Sequence, residues 1–344
     1  MDIFLVRMDL IEIPEIADRL AHWLAVVLHR PGLRITSTRR LTGGAIQQNW
    51  KVETIDLIGE SAWLLRTDAD VLVSASGSRA GEYALLKAMV KAGVKVATPR
   101  ALCDSREVIG RPFFITDFVP GLATAYRLVR DDSLVPDREA LTFELGQNLA
   151  RLHRVLPPVA ELDFLAPVES RPTLAQVLLQ RAHLDEIGVA DPALEWGLRW
   201  LELNAPGKER AHLVHRDFRT GNYMVHEGRL AALLDWEFAG WGNPLEDMGW
   251  FTAKCWCFGR PDRAGGVGPL ASFLAGYRDE GGEAPLPEEL RYWQMLAQAR
   301  WAVIAHLQAH RHHSGKERSL ELLLTGRIPS QLNLELLTAG GRAS

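Results

Sequence analysis

The segment from His215 to Glu237 constrains this chain more than any other, because it sets three oxygen-bearing side chains at fixed intervals. Asp217 is followed five residues later by Asn222, and thirteen residues after that by Asp235. The apolar run that ends in Leu233-Leu234 predicts a short buried strand. We therefore expect a polar loop followed by a strand that carries Asp235 at its end.

These side chains suit the transfer of a phosphoryl group from a nucleotide. That reaction needs a carboxylate to orient and deprotonate the acceptor hydroxyl, and two hard oxygen ligands for Mg²⁺. The run His215-Arg216-Asp217, with Asn222 five residues after the aspartate, fits the H-R-D-x-x-x-x-N loop of kinases. An aspartate and an asparagine at this spacing mean little alone, since both are common in turns. The whole combination is much more specific.

Length and composition indicate an ordinary globular protein of about two domains. The chain has 344 residues, 47% of them hydrophobic and 24% charged, and a formal net charge of -4. A slightly negative net charge does not indicate binding to nucleic acid. No apolar run reaches the roughly 18 residues that a membrane-spanning helix needs. Three cysteines without metal or redox spacing favour a reducing, cytoplasmic location.

The pattern of apolar residues divides the chain near residue 118. The first part, 1–118, reads as β-rich with one key helix; the second, 119–344, reads as helical after Pro120-Gly121. The tail after Ile328 is expected to be only partly packed. Strands are predicted at 33–41, 49–55, 61–66, 101–103 and 113–118, and helices at 14–30, 79–91, 141–154, 174–187, 193–203, 268–278 and 288–310.

Four residues of the first part are candidates for holding nucleotide phosphates. Gly43 and Gly44 lie between two strands, where glycine lets backbone N–H groups approach a phosphate, although hairpin turns use the same pair for geometry alone. Arg66 ends the third predicted strand and could pair with phosphates; Glu82 in the following helix could pair with Arg66. Solvent-exposed side chains remain the alternative for both.

The chain resembles the aminoglycoside phosphotransferase-like superfamily, small-molecule kinases distantly related to protein kinases. The resemblance covers nearly the whole chain and implies an α+β, two-lobed protein-kinase-like fold with a small N-terminal lobe and a larger helical C-terminal lobe. Arginine in place of lysine at position 66 resembles one subgroup of this superfamily. That subgroup includes the kinase-like domains attached to some acyl-CoA dehydrogenases, and those domains phosphorylate hydroxylated acyl groups. The matching motifs are Leu41-Thr42-Gly43-Gly44, Leu64-Leu65-Arg66, Glu82-Tyr83, Phe114 to Gly121, Leu149 to His153, His215 to Asn222 and Leu233 to Glu237.

The resemblance implies roles for the catalytic segment. Asp217 matches the base that accepts the proton of the acceptor hydroxyl, and Asn222 and Asp235 match the Mg²⁺ ligands. Arg219 is implied to lie over the γ-phosphate, where it would offset developing charge. Glu237 either binds a second metal or begins a structural element.

Two further expectations come from the resemblance. The backbone at Asp117, Phe118 and Val119 is implied to contact the adenine edge. Most members have glycine where Arg216 stands, so this arginine either braces the loop or meets an anionic substrate, while His215 supports the loop by hydrogen bonds. The many tryptophans either line an aromatic pocket or pack in the core.

The acceptor is the open question. From Val119 onward the chain has 29 acidic and 24 basic residues, too small an excess to favour a polycationic aminoglycoside. The leading prediction is an ATP- and Mg²⁺-dependent kinase of a small-molecule hydroxyl, with a hydroxyacyl compound preferred. The alternatives are aminoglycoside or macrolide phosphorylation, and a nucleotide-binding pseudokinase scaffold. GTP in place of ATP, and the oligomeric state, are left open by the sequence.

Overall fold

The computed structural model describes residues 14–41, 47–68, 78–207 and 210–340, and groups them into two compact units. The first comprises the described residues up to Lys91 together with Lys95–Pro120; the second comprises Ala92–Val94 and the residues from Gly121 onward. None of the described helices combines the length and the apolar character that crossing a membrane requires. The predicted boundary between residues 118 and 119 stays a prediction.

The first unit is built on an antiparallel five-stranded sheet with strand order β1-β2-β3-β5-β4. Alternate residues of the central strands, among them Trp50, Val52 and Leu65, are buried, as the period of two along a strand requires. Leu20 and Leu24 of the first helix complete this core. The elements are α1 (Pro14–Val27), β1 (Arg34–Leu41), β2 (Gln47–Ile55), β3 (Glu60–Asp68), α2 (Arg79–Lys91), β4 (Pro99–Cys103) and β5 (Phe113–Asp117).

The second unit is mainly helical and carries short antiparallel strand pairs. The pair β7–β8 is a hairpin in which Tyr223 lies opposite Leu233, and β6 pairs with β9. The elements are α3 (Ala125–Arg130), α4 (Arg138–His153), α5 (Pro172–Ile187), α6 (Pro192–Leu203), β6 (His212–Val214), β7 (Tyr223–His226), β8 (Arg229–Leu233), β9 (Gly240–Gly242), α7 (Leu245–Thr252), β10 (Arg263–Ala264), β11 (Gly268–Pro269), α8 (Leu270–Asp279), α9 (Pro287–His313), α10 (Leu320–Thr325) and α11 (Pro329–Gly340).

Two glycines allow helices α4 and α8 to cross at backbone distance. A Cβ on Gly146 would lie 2.0 Å from the carbonyl oxygen of Phe273, and a Cβ on Gly276 would lie 2.0 Å from that of Phe143. Any larger residue at either position would force the helices apart. The crossing fixes the end of α4, which carries His153 towards the catalytic loop.

Helices and strands follow the predicted pattern with several differences. The tail after Ile328 forms a partly packed helix: α11 buries Leu332 and Leu336, and Leu336 contacts Gly197 of α6, while Leu334 is 63% exposed. Helices α7 and α11 and several short strands of the second unit lie where no element is predicted. Helices α3 and α10 were not predicted, since six residues are too few to show a helical period. Gly268–Pro269 forms a strand, so α8 begins at Leu270.

Candidate active site

Asp217 is buried at the start of the loop that joins β6 to β7, and both of its carboxylate oxygens accept hydrogen bonds. Its Oδ1 accepts from Arg219 Nε at 3.1 Å and from Trp250 Nε1 at 2.8 Å. Its Oδ2 accepts from the side-chain amide of Asn222. Three donors thus hold the carboxylate in one orientation, which is what a group that accepts a proton from a bound hydroxyl requires.

His215 joins this loop to the end of β8. Its Nε2 lies 2.8 Å from the carbonyl oxygen of Leu234, and its Nδ1 lies 3.3 Å from the backbone nitrogen of Asp217. Because a carbonyl can only accept and a backbone N–H can only donate, the partners assign the proton to Nε2. The fully buried ring therefore supports the loop, as the sequence predicts.

A second carboxylate, Asp247 of α7, fixes the loop from behind. Its oxygens accept from the backbone nitrogens of His215 at 2.7 Å and Arg216 at 2.6 Å, and His153 Nε2 lies 3.1 Å away. Burial opposes ionisation of Asp247, but the hydrogen bond and charge of His153, together with the backbone N–H of His215, outweigh it. The pKa of Asp247 consequently lies below its ordinary value.

Arg216 braces the loop. Its guanidinium donates to the carbonyl oxygen of Trp241 at 2.8 Å and lies 3.4 Å from Glu246, while its own carbonyl accepts from Arg300 at 2.6 Å. Burial raises the pKa of Glu246, against the pull of the two arginines. Burial likewise lowers the pKa of Arg300, whereas Glu246 and Asp217 act to raise it.

Asn222 and Asp235 lie at the same end of the β7–β8 hairpin, and their role as metal ligands stays a prediction. The amide nitrogen of Asn222 donates to the carbonyl and carboxylate oxygens of Asp217, so the amide oxygen is the atom left for a metal. The backbone nitrogen of Leu234 donates to the Asn222 carbonyl at 2.8 Å, and Asp235 is the next residue.

Two protein ligands suffice for magnesium, which normally binds through one or two side chains together with phosphate oxygens and water. Among the described residues no cluster of three or more histidine, cysteine, aspartate or glutamate side chains could hold a metal on its own. A metal at this hairpin would therefore depend on nucleotide phosphates. The residues present fit Mg²⁺ in that sense.

A pocket of about 540 Å³ opens over Asp217, and we call it the catalytic pocket. All of its described lining residues belong to the second unit. Trp250 and Trp256 belong to it, so part of the tryptophan content lines a pocket while Trp293 and others pack in the core. The lining residues are Gln176, Leu179, Gln180, His183, Arg216, Asp217, Arg219, Asp235, Glu237, Phe238, Trp250, Trp256, Arg300, Trp301, Ile304, Leu307 and Gln308.

Charges in the catalytic pocket are unevenly distributed. Among the described lining residues the carboxylates are Asp217, Asp235 and Glu237, which are the proposed base and metal ligands. The remaining charged groups are arginines, and the rest of the lining consists of apolar and aromatic side chains, glutamines and His183. The guanidinium of Arg219 lies 4.7 Å from the ring centroid of Trp256. The pocket thus offers an apolar surface beside a catalytic carboxylate.

The first unit brings Arg66 and Glu82 together as an ion pair. Arg66 Nε also donates to Asn49 Oδ1 at 2.9 Å, since Asn49 lies directly opposite it in the β2–β3 register. A second arginine, Arg79, shares the carboxylate of Glu82 at 2.5 Å and lies 3.0 Å from Asp68. Arg66 therefore has a fixed orientation, and both side chains are mostly buried.

Fewer backbone N–H groups than expected are available for the predicted contact with adenine. The backbone nitrogens of Asp117 and Phe118 already donate to carbonyl oxygens of Thr98 at 2.9 Å and Ala62 at 3.1 Å. They cannot also serve as donors to a base, so the prediction now rests on the N–H of Val119 and on carbonyl oxygens. Gly43 and Gly44 lie outside the described residues, and their predicted role stays a prediction.

Three residues that contact the loop between β6 and β7 were not predicted as site residues: Asp247, Trp250 and Arg300. One signal was present, because Glu246-Asp247 interrupts an otherwise apolar segment, and buried charges in such a setting are normally paired. Trp250 and Arg300 had no comparable signal, since their neighbours in the sequence are ordinary core residues.

Comparisons with known proteins identify a family for this chain. The model of the APH phosphotransferase enzyme family matches residues 37–293. Mouse acyl-CoA dehydrogenase family member 10 is 33% identical over 171 residues, which are 48% of this chain and 16% of the mouse protein. The chicken (Gallus gallus) family member 11 is 33% identical over 181 residues, 50% of this chain and 22% of that protein. The matches thus cover only a small part of these longer relatives.

Solved structures confirm the predicted protein-kinase-like fold. A Ralstonia eutropha protein provisionally assigned as an aminoglycoside phosphotransferase has a TM-score of 0.75 at 22% identity, covering 95% of this chain and 98% of its own. Spectinomycin phosphotransferase in complex with ADP and spectinomycin has a TM-score of 0.63 at 13% identity, covering 94% and 98%. Macrolide 2'-phosphotransferase from Brachybacterium faecium has 0.57 at 21%, covering 88% and 94%. At these identities the likeness is one of fold.

Proposed function

The chain belongs to the phosphotransferase enzyme family, and from this we propose that it is an ATP-dependent kinase of a small-molecule hydroxyl. We further propose a hydroxyacyl compound as the acceptor. The observation that carries the proposal is the catalytic pocket itself, whose lining combines Asp217 and Asp235 with apolar side chains.

The residues of the second unit have separate parts in the transfer. Asp217 orients the acceptor hydroxyl and takes its proton as the hydroxyl oxygen forms a bond to the γ-phosphorus and the bond to ADP breaks. Asn222 and Asp235 would hold Mg²⁺, which neutralises phosphate charge when bound. Arg219 offsets charge on the transferring group, and Arg66 of the first unit holds the nucleotide phosphates.

The preference for an acyl compound rests on the lining of the pocket. Trp301, Ile304 and Leu307 of α9 form an apolar face that suits a hydrocarbon chain. A polycationic antibiotic would need further carboxylates, and among the described lining residues every carboxylate already has a proposed task at the phosphate or the metal. The names of the mouse and chicken relatives, both acyl-CoA dehydrogenases, support the same choice.

A substrate screen tests this proposal. Hydroxy acids of four to ten carbons, as free acids and as coenzyme A thioesters, are incubated with Mg·ATP, and ADP release is measured beside kanamycin and erythromycin. We expect turnover with the hydroxyacyl compounds and none with Asp217→Asn. Transfer to an antibiotic alone would overturn the acyl assignment, whereas ATP binding without transfer to any hydroxyl would favour the pseudokinase alternative.

A further inference from the structure

We propose that Trp250 is a positioning residue that fixes the carboxylate of Asp217 for proton transfer. This inference rests on the proposed role of Asp217 as the base. Trp250 lies in α7, is 2% exposed, and donates its indole N–H to Asp217 Oδ1 at 2.8 Å. A buried hydrogen bond to a charged acceptor is among the stronger ones in proteins.

Trp250 differs in kind from the other two donors to Asp217. Arg219 is partly exposed and has a proposed task at the γ-phosphate, and Asn222 has one at the metal. Arg219 can exchange its contact with Asp217 for one with the nucleotide, and Asn222 would share its amide between Asp217 and the metal. The indole has a single donor and no other function to serve, so it is the partner that holds the carboxylate while ligands come and go.

The position of Trp250 is itself fixed from two sides. The guanidinium of Arg300 lies 4.6 Å from its ring centroid, and Arg300 also donates to the Arg216 carbonyl. A cation over an indole face draws electron density from the ring and strengthens its N–H as a donor. On the helix, a Cβ on Gly249 would lie 2.5 Å from a backbone atom of Trp293, so α7 and α9 cannot separate or slide without losing this contact.

This arrangement predicts a defect in turnover rather than in binding. With Oδ1 held by Trp250, the carboxylate cannot rotate freely, and Oδ2 can accept from the acceptor hydroxyl with its second lone pair beside the bond from Asn222. Loss of the indole N–H frees that rotation, and small errors in the placement of a reacting group can cost about 10²-fold in rate. The affinity for ATP does not depend on this bond.

The kinetic test compares Trp250→Phe with Trp293→Phe. Trp293 is also buried in this helical region, but its Nε1 has no hydrogen-bond partner in the described part of the chain. We expect Trp250→Phe to lower kcat about 10- to 100-fold with the KM for ATP changed less than about twofold. Trp293→Phe should leave kcat within about twofold. Equal losses of kcat in the two variants, or a loss confined to KM, would overturn the proposal.

A spectroscopic test does not require an acceptor. In ¹⁵N-labelled protein, the indole resonance of Trp250 is assigned by its disappearance in Trp250→Phe and then followed in Asp217→Asn. Replacing the charged acceptor should shift this resonance upfield more than any other indole signal. An unchanged resonance would show that the bond is absent.

The two proposals fail in different ways. If Asp217→Asn retains wild-type turnover, the base assignment is wrong whatever Trp250 does. If Asp217→Asn is inactive while Trp250→Phe is fully active, the base assignment stands and the inference about Trp250 is wrong.

Discussion

At the scale of single residues, two side chains of the candidate site lie on backbone that non-glycine residues seldom adopt. Arg216 has φ of 63° and Asp235 has φ of 61°, values in the left-handed region that non-glycine residues avoid. Such positions cost about 1–3 kcal/mol each and persist only where surrounding contacts impose them. For Arg216 those contacts are visible: Asp247 binds its N–H, and Arg300 binds its carbonyl.

Replacing Asp217 by asparagine should abolish proton acceptance while leaving the fold intact. We expect kcat to fall by roughly 10²–10⁴, the usual contribution of a positioned base, with nucleotide affinity nearly unchanged. Steady-state kinetics and ATP titration measure the two quantities, and Asp262→Asn, at a 76% exposed side chain, is the control. Turnover at the wild-type level would exclude Asp217 as the base.

Replacing Asp235 by alanine should remove activity together with the dependence of ATP binding on magnesium. The wild type is expected to bind ATP only weakly without a divalent ion, since metal and phosphates share one site. Titrations of ATP with and without Mg²⁺ measure this coupling in both proteins. A variant that keeps near-normal turnover at ordinary Mg²⁺ would refute the metal assignment.

At the scale of elements, each proposed site is supported where two or more elements meet. In the first unit, β2, β3 and α2 contribute Asn49, Arg66 and Glu82 to one cluster. In the second, the single helix α7 supplies both the loop brace Asp247 and the donor Trp250. The orientation of α7 therefore determines the position of the loop as well as that of its carboxylate.

Arg66→Ala should harm catalysis far more than folding. Loss of a guanidinium aimed at phosphate is expected to lower kcat/KM about 10²-fold, while Glu82 keeps Arg79 as a partner and limits the loss of stability. Arg66→Lys should recover only part of the activity, since lysine presents a point charge in place of a fork. Arg34→Ala, at an exposed strand start, is the control. An active Arg66→Ala enzyme would argue against phosphate binding here.

Asp247→Asn should weaken the fold by about 3 kcal/mol at neutral pH, because it removes a buried charge that accepts two backbone N–H groups. The pKa of Asp247 is lowered in the folded state. Its stabilisation is therefore complete above the pKa of an unfolded aspartate, about 3.9, and is lost as the pH falls through the folded-state value. Urea unfolding of both proteins should show their difference narrowing below about pH 4. A difference independent of pH would contradict this account.

The sequence could predict what is local and could not predict what is brought in by packing. Asp217 and Asn222 lie in the same loop, so their spacing in the sequence alone indicates that their side chains are close together. Trp250 lies 33 residues from Asp217, and Arg300 lies 84 residues from the carbonyl that it binds. Their approach depends on how α7 and α9 pack, which leaves no short motif. The tail helix α11, which buries Leu332 and Leu336, was missed for the same reason.

At the scale of the whole molecule, the described residues that hold the loop between β6 and β7 are buried, whereas part of the pocket lining proposed to bind the acceptor is exposed. His153, His215 and Asp247 are at most 3% exposed. Leu179, on the α5 wall of the catalytic pocket, is 44% exposed. The three buried side chains are surrounded by protein, whereas Leu179 is partly in contact with solvent.

Leu179→Ala should therefore alter acceptor binding without altering the chemistry. We expect the KM for a hydroxyacyl acceptor to rise about three- to tenfold, from the apolar contact that is lost, and the KM for ATP to change less than about twofold. Leu178→Ala is the matched control, since Leu178 is 50% exposed and lies outside the pocket lining. A similar rise in both variants would show that α5 does not contact the acceptor.

The exposure of the α5 wall has a consequence for how such an enzyme changes over generations. Substitutions at exposed positions usually shift stability by less than about 0.5 kcal/mol, so selection tolerates them. Wall residues can thus drift until a new acceptor fits, while the buried brace keeps the transfer reaction working at every step. Descendants of one enzyme can in this way come to phosphorylate different acceptors, with every intermediate ancestor still active.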